Sequence, residues 1–347
     1  MPTREAVLEA LSRVIDPELH RPVTELDMVR SVEIEDGRVD VTIALTVAGC
    51  PLRSSFEDQV QREVATLDGV QEVTLGFDVM SADERQALTE KLRGSVSGRA
   101  QGLSLDASTR VLAVCSGKGG VGKSTVTANI AVALSQQGQR VGILDADIYG
   151  HSIPHLLGIH QRPIAVDKMI VPPVKDGLKL MSIGFFLDDN QPVMWRGPML
   201  HRALEQFLSD VHWGELDVLV VDMPPGTGDV AISLGQLLPR AEVIVVTTPQ
   251  PAAQEVAARA ALMAQKTSMR LLGVVENMTG DVFGSGGGER LALELGVPML
   301  GTIPLDPRLR EAGDAGDPLV TPEIAAIAAR VGKAHPGGIL KPLTLVS

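Results

Sequence analysis

The sequence predicts an α/β chain: a mostly parallel sheet with helices on both faces, preceded by a small α+β domain. Three observations carry that prediction. After Arg110, six apolar runs of four or five residues alternate with helical segments, the pattern of buried parallel strands with crossover helices. The first of those runs leads into a helix through a glycine-rich turn. Upstream, residues 94–109 (GSVSGRAQGLSLDAST) are rich in Gly and Ser and lack apolar periodicity, as a linker does.

Residues 1–93 read as the small domain. Arg4 to Ile15 has helical spacing. Met28–Ile34 and Arg38–Thr46 alternate as strands across Asp36-Gly37, a strong hairpin signal. Pro51–Leu67 returns to helical spacing, Val70–Val79 reads as a strand, and Ala82–Leu92 as a helix. Residues 110–347 form the larger domain, with strands expected at Val111–Cys115, Val141–Leu144, Val218–Val221, Val243–Thr247, Leu271–Val275 and Met299–Ile303.

Bulk composition narrows the partners. The core is aliphatic, because 44% of residues are hydrophobic and only 3% aromatic. Of the net charge of −12, nine units lie in residues 1–93, where 19 acids face 10 bases. Neither part carries the basic footprint of a nucleic-acid binder, so no nucleic-acid partner is expected. No run of about 20 apolar residues is present, and the opening MPTREAVLEALSRV begins directly with a helical pattern, so a cytoplasmic protein without a membrane partner is expected. Two cysteines, Cys50 and Cys115, give no disulfide framework.

The glycine-rich turn carries the most specific chemistry. Gly117-Lys118-Gly119-Gly120-Val121-Gly122-Lys123-Ser124-Thr125 satisfies the phosphate-loop spacing in its required strand–loop–helix context. Its glycines let backbone N–H groups converge on a phosphate, and the helix N-terminus favours negative charge. Lys123 can reach the terminal phosphates of ATP, and Ser124 can ligate Mg²⁺. Lys118 is an addition an ordinary loop does not need; across a symmetric interface it can act on a second subunit's phosphates. Asp145 and Asp147 end one strand, and Asp222 ends another as an expected Mg²⁺ partner, followed by the Pro-Gly-rich switch-like Met223–Asp229.

Together with LDADIYGHSIPHLLG, MWRGPM, VVDMPPGTGD and GVVENM, the loop resembles the Mrp/ApbC group of MinD/ParA-type ATPases, iron–sulfur cluster carriers. Asp16-Pro17-Glu18-Leu19 and Ala48-Gly49-Cys50-Pro51 resemble the small iron–sulfur-assembly domain often fused ahead of them. The resemblance implies a SIMIBI-class fold, a homodimer closed around two nucleotides, slow ATP hydrolysis, and apo iron–sulfur clients. It also implies that Asp147 orients the attacking water with Asp145 beside it, and that Asn277 hydrogen-bonds the adenine.

One departure stands out. The family carries C-x-x-C after its ENM motif, whereas Asn277-Met278 is followed here by Thr279 to Gly288 without a cysteine. Thiolates are the ligands such a cluster needs. Cys115 reads as a small core residue, so Cys50, in a Gly-Cys-Pro turn before a helix, is the remaining cluster or client thiol. Two readings stay open: a cluster carrier, or a cluster-free ATP-dependent scaffold for a protein client. His151 and His155 are four apart, but Pro154 between them argues against a metal pair, and Trp195 and Arg196 read as packing and ion-pair residues. The tail Pro322–Ser347 is read as lacking the amphipathic membrane helix of related ATPases.

Overall fold

The computed structural model describes residues 2–17, 19, 21–46, 53–94, 105–148, 150–186 and 197–333. The chain divides into two compact units: residues 1–97 with 164–171, and residues 98–163 with 172–347.

In the first unit, α1 (Arg4–Leu11) is capped by Thr3, whose hydroxyl accepts from the Ala6 N–H at 3.2 Å. Strands β1 (Val29–Glu35) and β2 (Arg38–Leu45) form an antiparallel hairpin. Its turn residues Asp36 and Gly37 both have positive φ, 45° and 88°, as the Asp-Gly pair foretells. Helix α2 (Arg53–Val64), strand β3 (Glu72–Val79), which pairs parallel with β2, and helix α3 (Ala82–Gly94) complete the domain's main elements. Alternate residues of β2 and one face each of α1 and α2 fill the core with Val7, Leu11, Val41, Ile43, Phe56 and Val60.

The second unit begins with β4 (Arg110–Ser116), α4 (Lys123–Gln136), β5 (Val141–Asp145) and the short α5 (Ile153–Leu156). A hairpin follows, β6 (Ile164–Val166) and β7 (Met169–Val171), and it belongs to the first unit. Its Val166, Met169 and Val171 are buried in that unit's core, a placement sequence separation conceals. The chain then returns through β8 (Val174–Lys175), β9 (Leu178–Ser182), α6 (Gly197–Ser209), β10 (Val218–Asp222), α7 (Asp229–Leu237) and β11 (Glu242–Thr247). It ends with α8 (Pro251–Lys266), β12 (Arg270–Thr279), α9 (Gly287–Leu295), β13 (Met299–Pro304), α10 (Pro307–Asp314) and α11 (Pro322–Lys333).

Eight strands make one sheet in the order β13-β12-β11-β4-β10-β5-β9-β8, parallel throughout except for β8 against β9. All six strands expected from the apolar runs are present. The added edge, β9 and β8, comes from a segment whose periodicity is too short to read. After β4 the chain moves toward β5, and after β10 it moves back to β11, so strand order reverses around β4. Ligands bind at such a reversal, outside the carboxyl ends of the strands. Helix α4 is buried along nearly its whole length, from Val126 through Ala128, Ile130 and Ala131 to Leu134, which fixes the turn before it against the sheet.

The described part of the carboxyl-terminal region has its helix in the core. Residues Pro322–Lys333 do form an amphipathic helix, but Ile324, Ile327, Ala328 and Val331 are buried in the core. That face packs on α4 and β13, so it is not a surface helix. Residues 334–347 lie outside the described residues, as do Cys50, Trp195, Arg196 and most of the expected linker.

Candidate functional site

The turn between β4 and α4 is shaped by two glycines that no other residue replaces. A Cβ on Gly117 would lie 2.2 Å from the Val256 carbonyl carbon of α8, inside backbone that cannot yield. Gly122, the residue before α4, has φ of 81°, and a Cβ there would lie 2.3 Å from the Asn277 amide nitrogen. By contrast, a Cβ on Gly119 or Gly120 would meet nothing within 4 Å, because both border a cavity of about 630 Å³. Lys118, Lys123, Ser124 and Thr125 line the same cavity, with Asp147 and Gly150 opposite and Pro224, Pro225, Leu200 and Val230 as walls.

Beneath the cavity a polar cluster is assembled from two strand ends and one helix. Lys123 is 6% exposed, and its Nζ donates to Asp222 Oδ2 at 2.7 Å and lies 3.3 Å from Asp147 Oδ2. Ser124 Oγ donates to Asp222 Oδ2 at 2.6 Å. Thr127 Oγ1 lies 2.7 Å from Asp222 Oδ1 and 2.9 Å from the Lys123 carbonyl, so its one proton is shared between them. Asp222 has no exposed surface; burial pushes its carboxyl up, and the Lys123 ammonium and the three hydrogen bonds pull it back.

Asp145 and Asp147, two residues apart, end in different surroundings. Asp147 borders the cavity and accepts from the Gly150 N–H at 3.1 Å. Asp145 is wholly buried and does not border it. Its carboxylate takes the Ser182 hydroxyl at 3.0 Å, the Asp147 N–H at 3.2 Å and the Ile153 N–H at 3.4 Å. Burial, then the nearby Asp222 charge, push its carboxyl well above the usual range. Asp145 therefore holds the backbone of the segment that presents Asp147, without reaching the cavity itself.

Asn277 is drawn to the loop itself. Its side-chain amide donates to the Val121 carbonyl at 2.9 Å, bracing the loop from behind, with the Met278 methyl beside Gly122. Lys118 is exposed, while its carbonyl accepts the Ser116 hydroxyl at 3.1 Å. Cys115 is buried at the end of β4, and burial pushes its thiol up to about 12, which suits a core residue and no thiolate ligand. His151 and His155 are both exposed, and among the described residues no group of three or more His, Cys, Asp or Glu could hold a metal ion.

Sequence reasoning missed Thr127 and Ser182. Thr127 lies four residues after Lys123, one helical turn on, so its direction toward the loop was legible in principle. Ser182 had no signal, because only the pairing of β9 with β5 sets it beside Asp145.

A family model described as "NUBPL iron-transfer P-loop NTPase" matches residues 107–334, and one described as "Iron-sulfur cluster assembly protein" matches residues 4–75. The chain belongs to the NUBPL-type iron-transfer P-loop NTPase family. Relatives of the family include an iron-sulfur cluster carrier protein of Mycobacterium leprae, 53% identical over 91% of this chain and 87% of its own length. Another, from Bacillus subtilis, is 43% identical over 87% and 88%. Among solved structures, a nucleotide-binding protein from Archaeoglobus fulgidus in complex with ADP is 34% identical, with TM-score 0.54, covering 70% of this chain and 95% of its own. The septum site-determining protein MinD of Pyrococcus horikoshii, complexed with Mg-ADP, matches with TM-score 0.51 at 24% identity over 65% and 96%, a likeness of fold. The family fold is thus a P-loop NTPase with an iron–sulfur-assembly-type domain ahead of it. No described helix is long and apolar enough to cross a membrane.

Proposed function

We propose that this chain binds ATP at Gly117–Thr125 and hydrolyses it as a homodimer that carries iron–sulfur clusters to apo-protein clients in the cytoplasm. The observation that carries the nucleotide reading is the convergence of Lys123, Ser124, Asp147 and Asp222 at the floor of a cavity walled by a glycine loop. A hydroxyl and a fully buried carboxylate side by side are the hard oxygen donors that suit Mg²⁺. Ser124 would hold that ion directly and Asp222 through water; bound there, it would neutralise charge on the phosphate oxygens.

In this reading the loop N–H groups and Lys123 hold the β- and γ-phosphates. Asp147 orients a water whose oxygen bonds to the γ-phosphorus as the bond to the β-phosphate oxygen breaks, leaving ADP and phosphate. Asp145 acts through Asp147 by fixing its backbone. Asn277 holds the loop through Val121, and in this reading it also hydrogen-bonds the adenine. Lys118, exposed at the loop, reaches the phosphates of the second subunit.

Lys123→Ala should abolish nucleotide binding, and Lys118→Ala should keep binding within about threefold while losing hydrolysis. Normal turnover by Lys118→Ala removes the trans role. The cargo is the iron–sulfur cluster, and the thiol proposed to receive it is Cys50, outside the described residues. Anaerobic incubation with iron and sulfide should give a charge-transfer absorption band that Cys50→Ala loses. A second reading is favoured by the cysteine-free segment after Asn277: an ATP-dependent scaffold without a cluster. Full complementation by Cys50→Ala would select it.

A further inference from the structure

The chain that follows β5 and carries Asp147 is held at several points. At its start the Gly150 N–H donates to Asp147 Oδ1 at 3.1 Å and to the Asp147 carbonyl at 3.3 Å. The approach is close enough that a Cβ on Gly150 would lie 3.2 Å from Asp147 Oδ2. At its end the Ile153 N–H donates to buried Asp145. Gly150 and Ser152 line the cavity, but His151 between them does not. Its ring lies instead against the backbone of Gly184, where a Cβ would stand 2.4 Å from His151 Cδ2, 2.9 Å from Cγ and 3.2 Å from Cβ.

Gly184 belongs to the 3₁₀ turn Ile183–Phe186 that follows β9. Its φ lies outside the left-handed region, so the missing side chain serves the close approach alone. Turning the ring aside would not make room for one, because the His151 Cβ is itself in the way. The Gly184 N–H donates to Ser182 Oγ at 3.1 Å, and that hydroxyl donates to Asp145 Oδ2 at 3.0 Å. The surface that receives the ring is thus tied to the same carboxylate that takes the Asp147 N–H at 3.2 Å. On its other side the ring stays within the segment: Nδ1 lies 3.3 Å from the Ile148 carbonyl, and a proton on Nδ1 is donated there. Asp145 holds the segment at Asp147 and Ile153, and His151 holds its middle.

We infer that the contact of His151 with Gly184 is a latch that sets the position of Asp147 for ATP hydrolysis, with His151 a positioning residue that stays outside the cavity. The inference rests on the hydrolysis reading above and names what holds its water-orienting carboxylate in place. Such a hold matters because a displacement of about 1 Å in an aligned group can cost about 100-fold in rate. The loop glycines, Lys123 and Ser124 are held by other contacts, so losing the latch slows turnover and spares nucleotide binding.

The test is phosphate release from Mg-ATP by the full chain, giving kcat and KM, with Mg-ADP titration as the control for folding and binding. Gly184→Ala pushes the ring away and His151→Ala removes it. Each should lower kcat about tenfold, with KM and Mg-ADP affinity within about twofold of the wild type. His151→Asn, whose amide can stand where Nδ1 and Cδ2 stand, should keep at least about half of the wild-type kcat. His155→Ala, exposed on α5 nearby, should turn over as the wild type does. The double variant Gly184→Ala with His151→Ala should be no slower than His151→Ala, because the new methyl then meets no ring. Should Gly184→Ala fail to fold, the His151 variants decide. An unchanged kcat in His151→Ala overturns the latch alone, as do losses that multiply in the double variant, an equal loss in His155→Ala, or His151→Asn as slow as His151→Ala. A wild type that binds Mg-ADP and releases no phosphate from Mg-ATP overturns the latch together with the hydrolysis reading.

Discussion

Gly122→Ala isolates what the loop geometry is worth. The residue holds φ of 81°, a left-handed conformation that costs an L side chain about 1–2 kcal/mol. The new methyl would also lie 2.3 Å from Asn277 Nδ2, so Asn277 must give up its 2.9 Å hydrogen bond to the Val121 carbonyl, worth about 1 kcal/mol. Nucleotide binding selects the native loop, and the variant meets that cost on binding. The combined loss is about 2–3 kcal/mol, or roughly a 30- to 150-fold weaker affinity. Isothermal titration with Mg-ADP measures it directly. Asn277→Ala, which loses only the hydrogen bond, should weaken binding by about fivefold. If Gly122→Ala binds within threefold of the wild type, the reasoning that joins loop conformation to the Asn277 brace is wrong.

Three further outcomes follow from buried charge and burial. Asp145 has a raised carboxyl, so its contribution to stability is present below its unfolded value of about 3.9 and is lost as pH rises through the folded one. Asp145→Asn should therefore gain melting temperature relative to the wild type as pH is raised from about 4 toward neutral; a difference that stays constant across that range counts against the assignment. Cys115, pushed up to about 12 by burial, should resist iodoacetamide at pH 8 until the protein is unfolded, as read by peptide mass spectrometry. Glu242 lies buried between Arg110 and Arg270, so Glu242→Ala leaves the half-buried Arg110 without its carboxylate and should cost about 3 kcal/mol in urea unfolding.

Much of the site was legible before any coordinates, for reasons that are local. A phosphate loop needs particular glycines in a fixed order between a strand and a helix, and that requirement is written in consecutive residues. Strand-end carboxylates are legible for a related reason: in a parallel sheet, buried apolar runs stop where the chain reaches the ligand edge, so Asp147 and Asp222 stand out. Asp145 shows the limit. Its spacing matched Asp147's, yet one carboxylate borders the cavity and the other lies beneath it, a distinction made by Ser182 arriving on β9.

The sequence by itself determined the sheet's parallel strands, the place of the phosphate loop, and the absence of a cysteine pair after Asn277, because each depends on residue type at short range. Only the tertiary structure decided that Thr127 and Lys123 meet Asp222, that Asn277 holds Val121, and that residues 164–171 join the first unit's core. Those pairings join residues far apart in the chain, and what selects them is the satisfaction of buried donors, acceptors and apolar surface by the fold as a whole.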